Sequence, residues 1–144
     1  MMNTSSTSNP VLIPLCAVDL TLASPVTIGE GPSGNRTVVR ILSMAISGDR
    51  LNAKLVGDAA ADWLTVAGGV ATVDVRATVE TNDGALIYLQ YRGRSDVTKG
   101  IGSAPFYVAP TFETSDKRYG WLNCVQAVGK GDLASMRYEW FEVR

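Results

Sequence analysis

The stretch VATVDVRATVETNDGALIYLQYR, residues Val70 to Arg92, decides the fold class. Its first half alternates, with Val73, Val75, Ala77 and Val79 at one set of positions and Asp74, Arg76, Thr78 and Glu80 at the other. A period of two marks a β-strand with one buried face, because successive side chains project to opposite sides. Asn82-Asp83-Gly84 is turn chemistry, and a second apolar run follows it. A three-residue loop with Gly84 in the left-handed conformation pairs Val79 with Ile87 and Ala77 with Leu89 on one face. The other face then matches Glu80 with Leu86, Thr78 with Tyr88, Arg76 with Gln90 and Asp74 with Arg92. A two-residue loop would set Glu80 against Ile87 and mix the faces. Register follows the hydrophobic pattern, so the three-residue loop is predicted.

The rest of the chain has the same pattern. Runs rich in β-branched and aromatic residues span Val11–Leu22, Thr37–Ser47, Leu51–Val56, Trp63–Val66, Phe106–Phe112, Trp121–Val128 and Met136–Val143. Between them lie turn signals such as Gly48-Asp49, Gly57-Asp58, Gly68-Gly69 and Gly129 to Gly131. Short strands at this spacing predict an all-β, antiparallel sandwich or barrel. Only Ala59–Asp62 and Ser115–Tyr119 offer room for a helical turn. The length of 144 residues suits one domain, taken as 10–144 behind a Ser/Thr/Asn tail at 1–9 that is expected to be mobile.

Composition excludes several functions. The chain has no histidine, which removes Ser-His-Asp and Cys-His catalysis and every histidine metal site. Proton transfer must then use Asp, Glu, Tyr, Cys, Lys or Arg. Net charge is −1 with the basic residues scattered, so neither nucleic acid nor an anionic membrane is an expected partner. Val11–Val18 is too short to span a bilayer, and no basic segment precedes it, so a cytoplasmic protein with free Cys16 and Cys124 is expected. Gly29-Glu30-Gly31-Pro32-Ser33-Gly34 fits the dinucleotide fingerprint by letter only. Pro32 and the strand-like residues after it leave no helix for a phosphate to bind, so it reads as a turn.

The Asp74, Arg76, Thr78, Glu80, Tyr88, Gln90, Arg92 face reads, on pattern alone, as the solvated side of a half-buried sheet. The alternative is the polar lining of a barrel that encloses a ligand, with Arg76 partnered by Asp74 or Glu80. Trp63, Tyr107, Trp121 and Trp140 read as core, Asp62 as a turn or cap residue, and Glu113 and Asp116 as loop caps.

Several strings in order carry a resemblance. They are Ala61-Asp62-Trp63, Asp74-Val75-Arg76, Glu80 through Tyr88, Phe106-Tyr107, Phe112-Glu113-Thr114 and Tyr119-Gly120-Trp121-Leu122-Asn123. Together they resemble the DUF3237 (UPF0311) family from about Val11 to the C-terminus. The resemblance implies a lipocalin-like antiparallel barrel and turns the Asp74–Glu80 face inward. Some fungal members look like cyclases that close an oxygen ring by adding a hydroxyl across an alkene. The chain departs from the family pattern at Val108, where Arg is frequent, and at Ala59 and Ala60, where glycines are usual.

The resemblance thus implies a cofactor-free and metal-free lyase, isomerase or cyclase acting on a hydrophobic oxygenated small molecule. Its expected catalytic residues are Asp74, Arg76, Glu80 and Asp62. Trp63, Tyr88, Gln90, Tyr107, Trp121 and Asn123 are expected to contact substrate. A non-catalytic ligand-binding barrel is the alternative. An inward polar face would expose Val75, Ala77, Val79, Ile87 and Leu89, which predicts a homodimer to cover them.

Overall fold

The computed structural model describes residues 8–144, so most of the expected tail at 1–9 lies outside the described residues. The strands are β1 (Leu12–Leu22), β2 (Val26–Gly31), β3 (Gly34–Ser47), β4 (Ala53–Leu55), β5 (Ala61–Ala67) and β6 (Val70–Thr81). They continue with β7 (Leu86–Asp96), β8 (Phe106–Val108), β9 (Thr111–Glu113), β10 (Ala127–Asp132) and β11 (Arg137–Val143). A 3₁₀ helix, Lys117–Cys124, precedes β10.

Antiparallel pairing runs β1–β3–β5–β6–β7–β8–β10–β11 and returns to β1, which closes a barrel of 8 strands. Closure leaves these strands without a free edge. β2 pairs with β3, β4 bridges β3 and β6, and β9 lies on β7. No helix among the described residues is long and apolar enough to cross a membrane.

The hairpin forms in the predicted register, with Val79 opposite Ile87, Ala77 opposite Leu89, Thr78 opposite Tyr88 and Asp74 opposite Arg92. Gly84 has φ +92°, as the three-residue loop requires, and the Thr81 N–H donates to the Ala85 carbonyl at 2.8 Å.

Three segments depart from the expectation. Trp121–Val128 is not one strand. The Asp116 carboxylate accepts from the Arg118 N–H at 2.9 Å and starts the 3₁₀ helix, which drives Leu122 fully into the core and delays β10 to Ala127. Ala59–Asp62 makes no helical turn, because Ala61 and Asp62 pair with Arg40 and Val39 on one side and with Arg76 and Val75 on the other. Gly29 to Gly31, read as part of a turn, belong to a strand, Val26–Gly31. A bulge between Thr27 and Gly29, with Gly29 at φ +99°, carries pairing through the glycine-rich stretch.

The apolar face of the hairpin fills the barrel. Val73, Val75, Ala77, Val79, Ile87, Leu89 and Tyr91 are all buried, packed with Leu122, Tyr138 and Trp140. Asp74, Arg76 and Glu80 therefore lie on the outside, which corrects the inward placement drawn from the resemblance. The physical reason is the cost of burying charge. Asp74, Arg76 and Glu80 would be desolvated together inside the barrel, whereas the alternating aliphatic set lines it without unpaired charge. The argument for a homodimer falls with it, since the apolar residues that needed cover are covered by the barrel itself.

Candidate functional site

The residues expected at a site separate into two groups. Asp74, Arg76, Glu80, Tyr88 and Gln90 line the outer surface of β6 and β7, where the Tyr88 hydroxyl donates to Gln90 Oε1 at 2.9 Å. Trp63 also faces out, its ring 5.9 Å from the Arg76 guanidinium. Tyr107 is exposed on β8 beside Lys130, and Trp121 is part-exposed under the Arg50 guanidinium at 4.9 Å. Asn123 brackets Thr114, accepting from its N–H at 2.8 Å and donating to its carbonyl at 2.9 Å, a loop-fixing role. None of these side chains lines the barrel interior.

Asp62 does. β5 alternates so that Asp62 and Leu64 point inward while Trp63 points out, because Asp62 sits between the core residues Val39 and Val75 on its neighbouring strands. It lines a partly open cavity of about 510 Å³ at one end of the barrel. The walls are mainly apolar, including Leu20, Leu22, Val39, Ile41, Leu64, Val73, Val75 and Phe106. Ile101, Leu133 and Met136, from the β7–β8 and β10–β11 connections, complete them. Asp62, Tyr91, Tyr138, Thr27 and Thr37 are the polar side chains of the wall, and no Lys or Arg belongs to it. The volume falls within the range of small-molecule pockets, about 300–1,000 Å³.

The electrostatics of this cavity follow from the burial of its polar groups. Burial pushes the Asp62 carboxyl up to about 6. A hydrogen bond from the Asp74 N–H to Asp62 Oδ1, at 2.9 Å, pulls the other way, and the Asp74 charge adds to the rise. Tyr91 and Tyr138 have ring centroids 6.0 Å apart, and both phenols are held above their ordinary range, by burial first. The Asp62 charge adds to both shifts. The cavity therefore presents one carboxyl able to change protonation near neutral pH and two phenols that stay protonated as donors.

The signal for Asp62 was present in the chain. Asp62-Trp63-Leu64-Thr65-Val66 alternates, and placing Leu64 and Val66 on the core face puts Asp62 there too. Tyr91 continues the Ile87, Leu89 face of the predicted hairpin. Tyr138 gave no comparable signal. Among the described residues no group of three His, Cys, Asp or Glu is placed to hold a metal ion. Cys16 is buried with its thiol pushed up to about 12, chiefly by desolvation, and Cys124 is exposed; both are free.

Comparison with known proteins gives one family and one fold. The family model described as a protein of unknown function, DUF3237, matches residues 10–143. A UPF0311 protein of Clostridium acetobutylicum is 25% identical over 119 residues, which are 74% of this chain and 75% of that protein. A β-barrel-like protein from Acinetobacter baumannii superposes with a TM-score of 0.85 at 27% identity, over 98% of this chain and 100% of that chain. An enzyme from Penicillium herquei superposes with a TM-score of 0.79 at 23% identity, over 99% of this chain and 100% of that chain, a likeness of fold alone.

Proposed function

The chain belongs to the DUF3237 family, and from that premise we propose that it is a small-molecule enzyme whose acid–base group is Asp62 in the barrel cavity. The observation that carries this reading is a carboxyl raised to about 6 on the wall of a mainly apolar cavity with no basic residue beside it. A group that titrates near the working pH can both give and take a proton, the optimum for general acid–base catalysis. The substrate is a hydrophobic molecule bearing a hydroxyl or carbonyl. Its apolar body lies against Val39, Val73, Val75 and Phe106, and its oxygen accepts from Tyr91 or Tyr138. The reaction is redox-neutral: a lyase, isomerase or cyclase step. In ring closure by addition of a hydroxyl across an alkene, one alkene carbon gains a proton, the other bonds to oxygen, and the oxygen loses its proton. One carboxyl can mediate that exchange, and the atoms balance without a cofactor.

The test begins with uncharged oxygenated aromatics and terpenoids screened for binding by thermal shift, and bound compounds are then assayed for conversion. Asp62→Asn should lower turnover by about 10²-fold or more, the usual scale for loss of a general acid or base, with ligand binding retained. The wild-type rate should change with pH through a limb near 6, and the variant should lack that limb. Full activity in Asp62→Asn would sink the reading. Tight binding with no turnover by either protein would leave a carrier in place of an enzyme.

A further inference from the structure

The Asp62 carboxylate is held by an opening in the β5–β6 ladder, and the opening has a second side chain in it. The Thr81 N–H donates to β7 at Ala85, and the Val56 N–H donates to the Thr78 carbonyl from the β4 side. Backbone groups alternate along a strand, so the even-numbered β6 residues, Asp74 included, aim theirs toward β5. The register Ala61 to Arg76 and Asp62 to Val75 puts Trp63 opposite Asp74, and an unbroken ladder would send the Asp74 N–H to the Trp63 carbonyl. That bond is replaced. Regular pairing lapses after Asp62 and resumes at Thr65 opposite Thr72. The Asp74 N–H goes to Asp62 Oδ1 at 2.9 Å, and the Trp63 carbonyl accepts from Arg36 Nη1 at 2.8 Å. Arg36 reaches it across β5 from β3, where it lies opposite Thr65.

Each of the two backbone groups thus has a side-chain substitute, and the substitutions depend on one another. Without the guanidinium the Trp63 carbonyl would keep only water, and the backbone donor opposite it in the ladder is the Asp74 N–H. We infer that Arg36 is a positioning residue: by occupying the Trp63 carbonyl it keeps the Asp74 N–H turned to Asp62 and so fixes the carboxylate in the cavity. This rests on Asp62 being the reactive group. Arg36 itself lies on the outer face and touches no substrate. The titratable groups facing Asp62 are Asp74 from β6, Tyr91 from β7 and Tyr138 from β11, and the cavity wall adds no cation.

Nuclear magnetic resonance of the intact chain tests this without a known substrate. In the wild type the Asp62 side-chain carbon and the Asp74 amide nitrogen should titrate together, and a through-hydrogen-bond coupling should join the Asp74 nitrogen to the Asp62 carboxyl carbon. In Arg36→Met the Asp62 midpoint should rise by about half a unit to one unit as the carboxylate loses its amide donor, and the Asp74 amide should stop following it. Arg36→Lys, which keeps a donor, should restore both. Arg40→Met, on the same outer face of β3 and paired with Asp58, should change neither. If Arg36→Met keeps the wild-type midpoint and the Asp74 response, the positioning role is overturned and the acid–base reading stands. A wild-type coupling from Asp74 to the Trp63 carbonyl would overturn it without any variant. A wild-type midpoint in the ordinary carboxylate range, with the Asp74 coupling to Asp62 intact, would overturn the acid–base reading and leave the clamp.

Discussion

The two ends of the barrel treat carboxylates in opposite ways. At one end Asp62 faces a mainly apolar cavity with no cation on its wall, and burial lifts it to about 6. At the other end the β6–β7 loop meets the 3₁₀ helix, and Asp83 and Asp116 sit in water. Arg118 binds Asp116 at 2.8 Å and Asp83 at 3.3 Å, while the Tyr119 hydroxyl donates to Asp83 at 2.8 Å. Arg118 holds Asp116 down to about 2, and hydrogen bonds from Thr81 and Tyr119 lower Asp83. The second end also carries its own plug, since Leu122 of the helix enters the core with no exposure. The same side-chain chemistry is thus held ionised where it is solvated and paired with a cation, and brought near neutral titration where it is desolvated without one.

The largest effect that would sharpen this contrast belongs to the plug. Leu122→Ala should cost about 2–5 kcal/mol, the range for a fully buried leucine, in denaturant unfolding. A loss under 1 kcal/mol would show that the helix covers the barrel without closing it.

Next comes the loop that positions the plug's partners. Gly84→Val should cost about 1–2 kcal/mol. A Cβ there would meet nothing within 4 Å, so the cost arises from φ +92° alone. An unchanged melting temperature would remove the left-handed loop from the account.

Asp62→Asn should do the reverse of a damaging change, and only at high pH. The folded-state pKa lies above the ordinary value of 3.8. Below about 4 the carboxyl is protonated in both states and costs nothing extra. Above about 6 the unfolded chain ionises freely while the folded chain ionises against burial, so stability falls as pH rises through that window. The variant should be more stable than the wild type by up to about 3 kcal/mol at pH 8 and show little gain at pH 4. A pH-independent difference would mean that Asp62 is not desolvated.

The smallest effect is expected at Asp116→Asn. Its folded-state pKa is depressed, so its contribution is present above about 4 and fades as pH falls toward 2. Because the pair is exposed, the change in melting temperature at neutral pH should be slight and shrink further with added salt. A large, salt-insensitive loss would make this end more than a surface network.

The fold was legible because the information for it is local. Alternation and one glycine set the β6–β7 hairpin to the exact pair, and repeated short runs with turn residues pointed to an antiparallel barrel. The 3₁₀ helix was not legible, because Trp121-Leu122-Asn123-Cys124 suits a strand by propensity and only the cap at Asp116 decides otherwise. The site was half legible. Alternation separated the polar and apolar faces of β6 and on pattern alone left the polar one to solvent, as the structure has it; the resemblance turned it inward. Closing the circuit through β11 buries the aliphatic set and leaves Asp74, Arg76 and Glu80 to solvent, where their charges keep their hydration. What places Asp62 is likewise non-local: Val39 and Val75 flank it from strands far apart in the chain, and the ladder opening that holds it needs Arg36 and Asp74 together. The sequence by itself determined most of the strands and turns and the register of the β6–β7 hairpin, which depend on neighbours within a few residues. The tertiary structure alone decided which carboxylate is dry, because desolvation is a property of everything packed around a group.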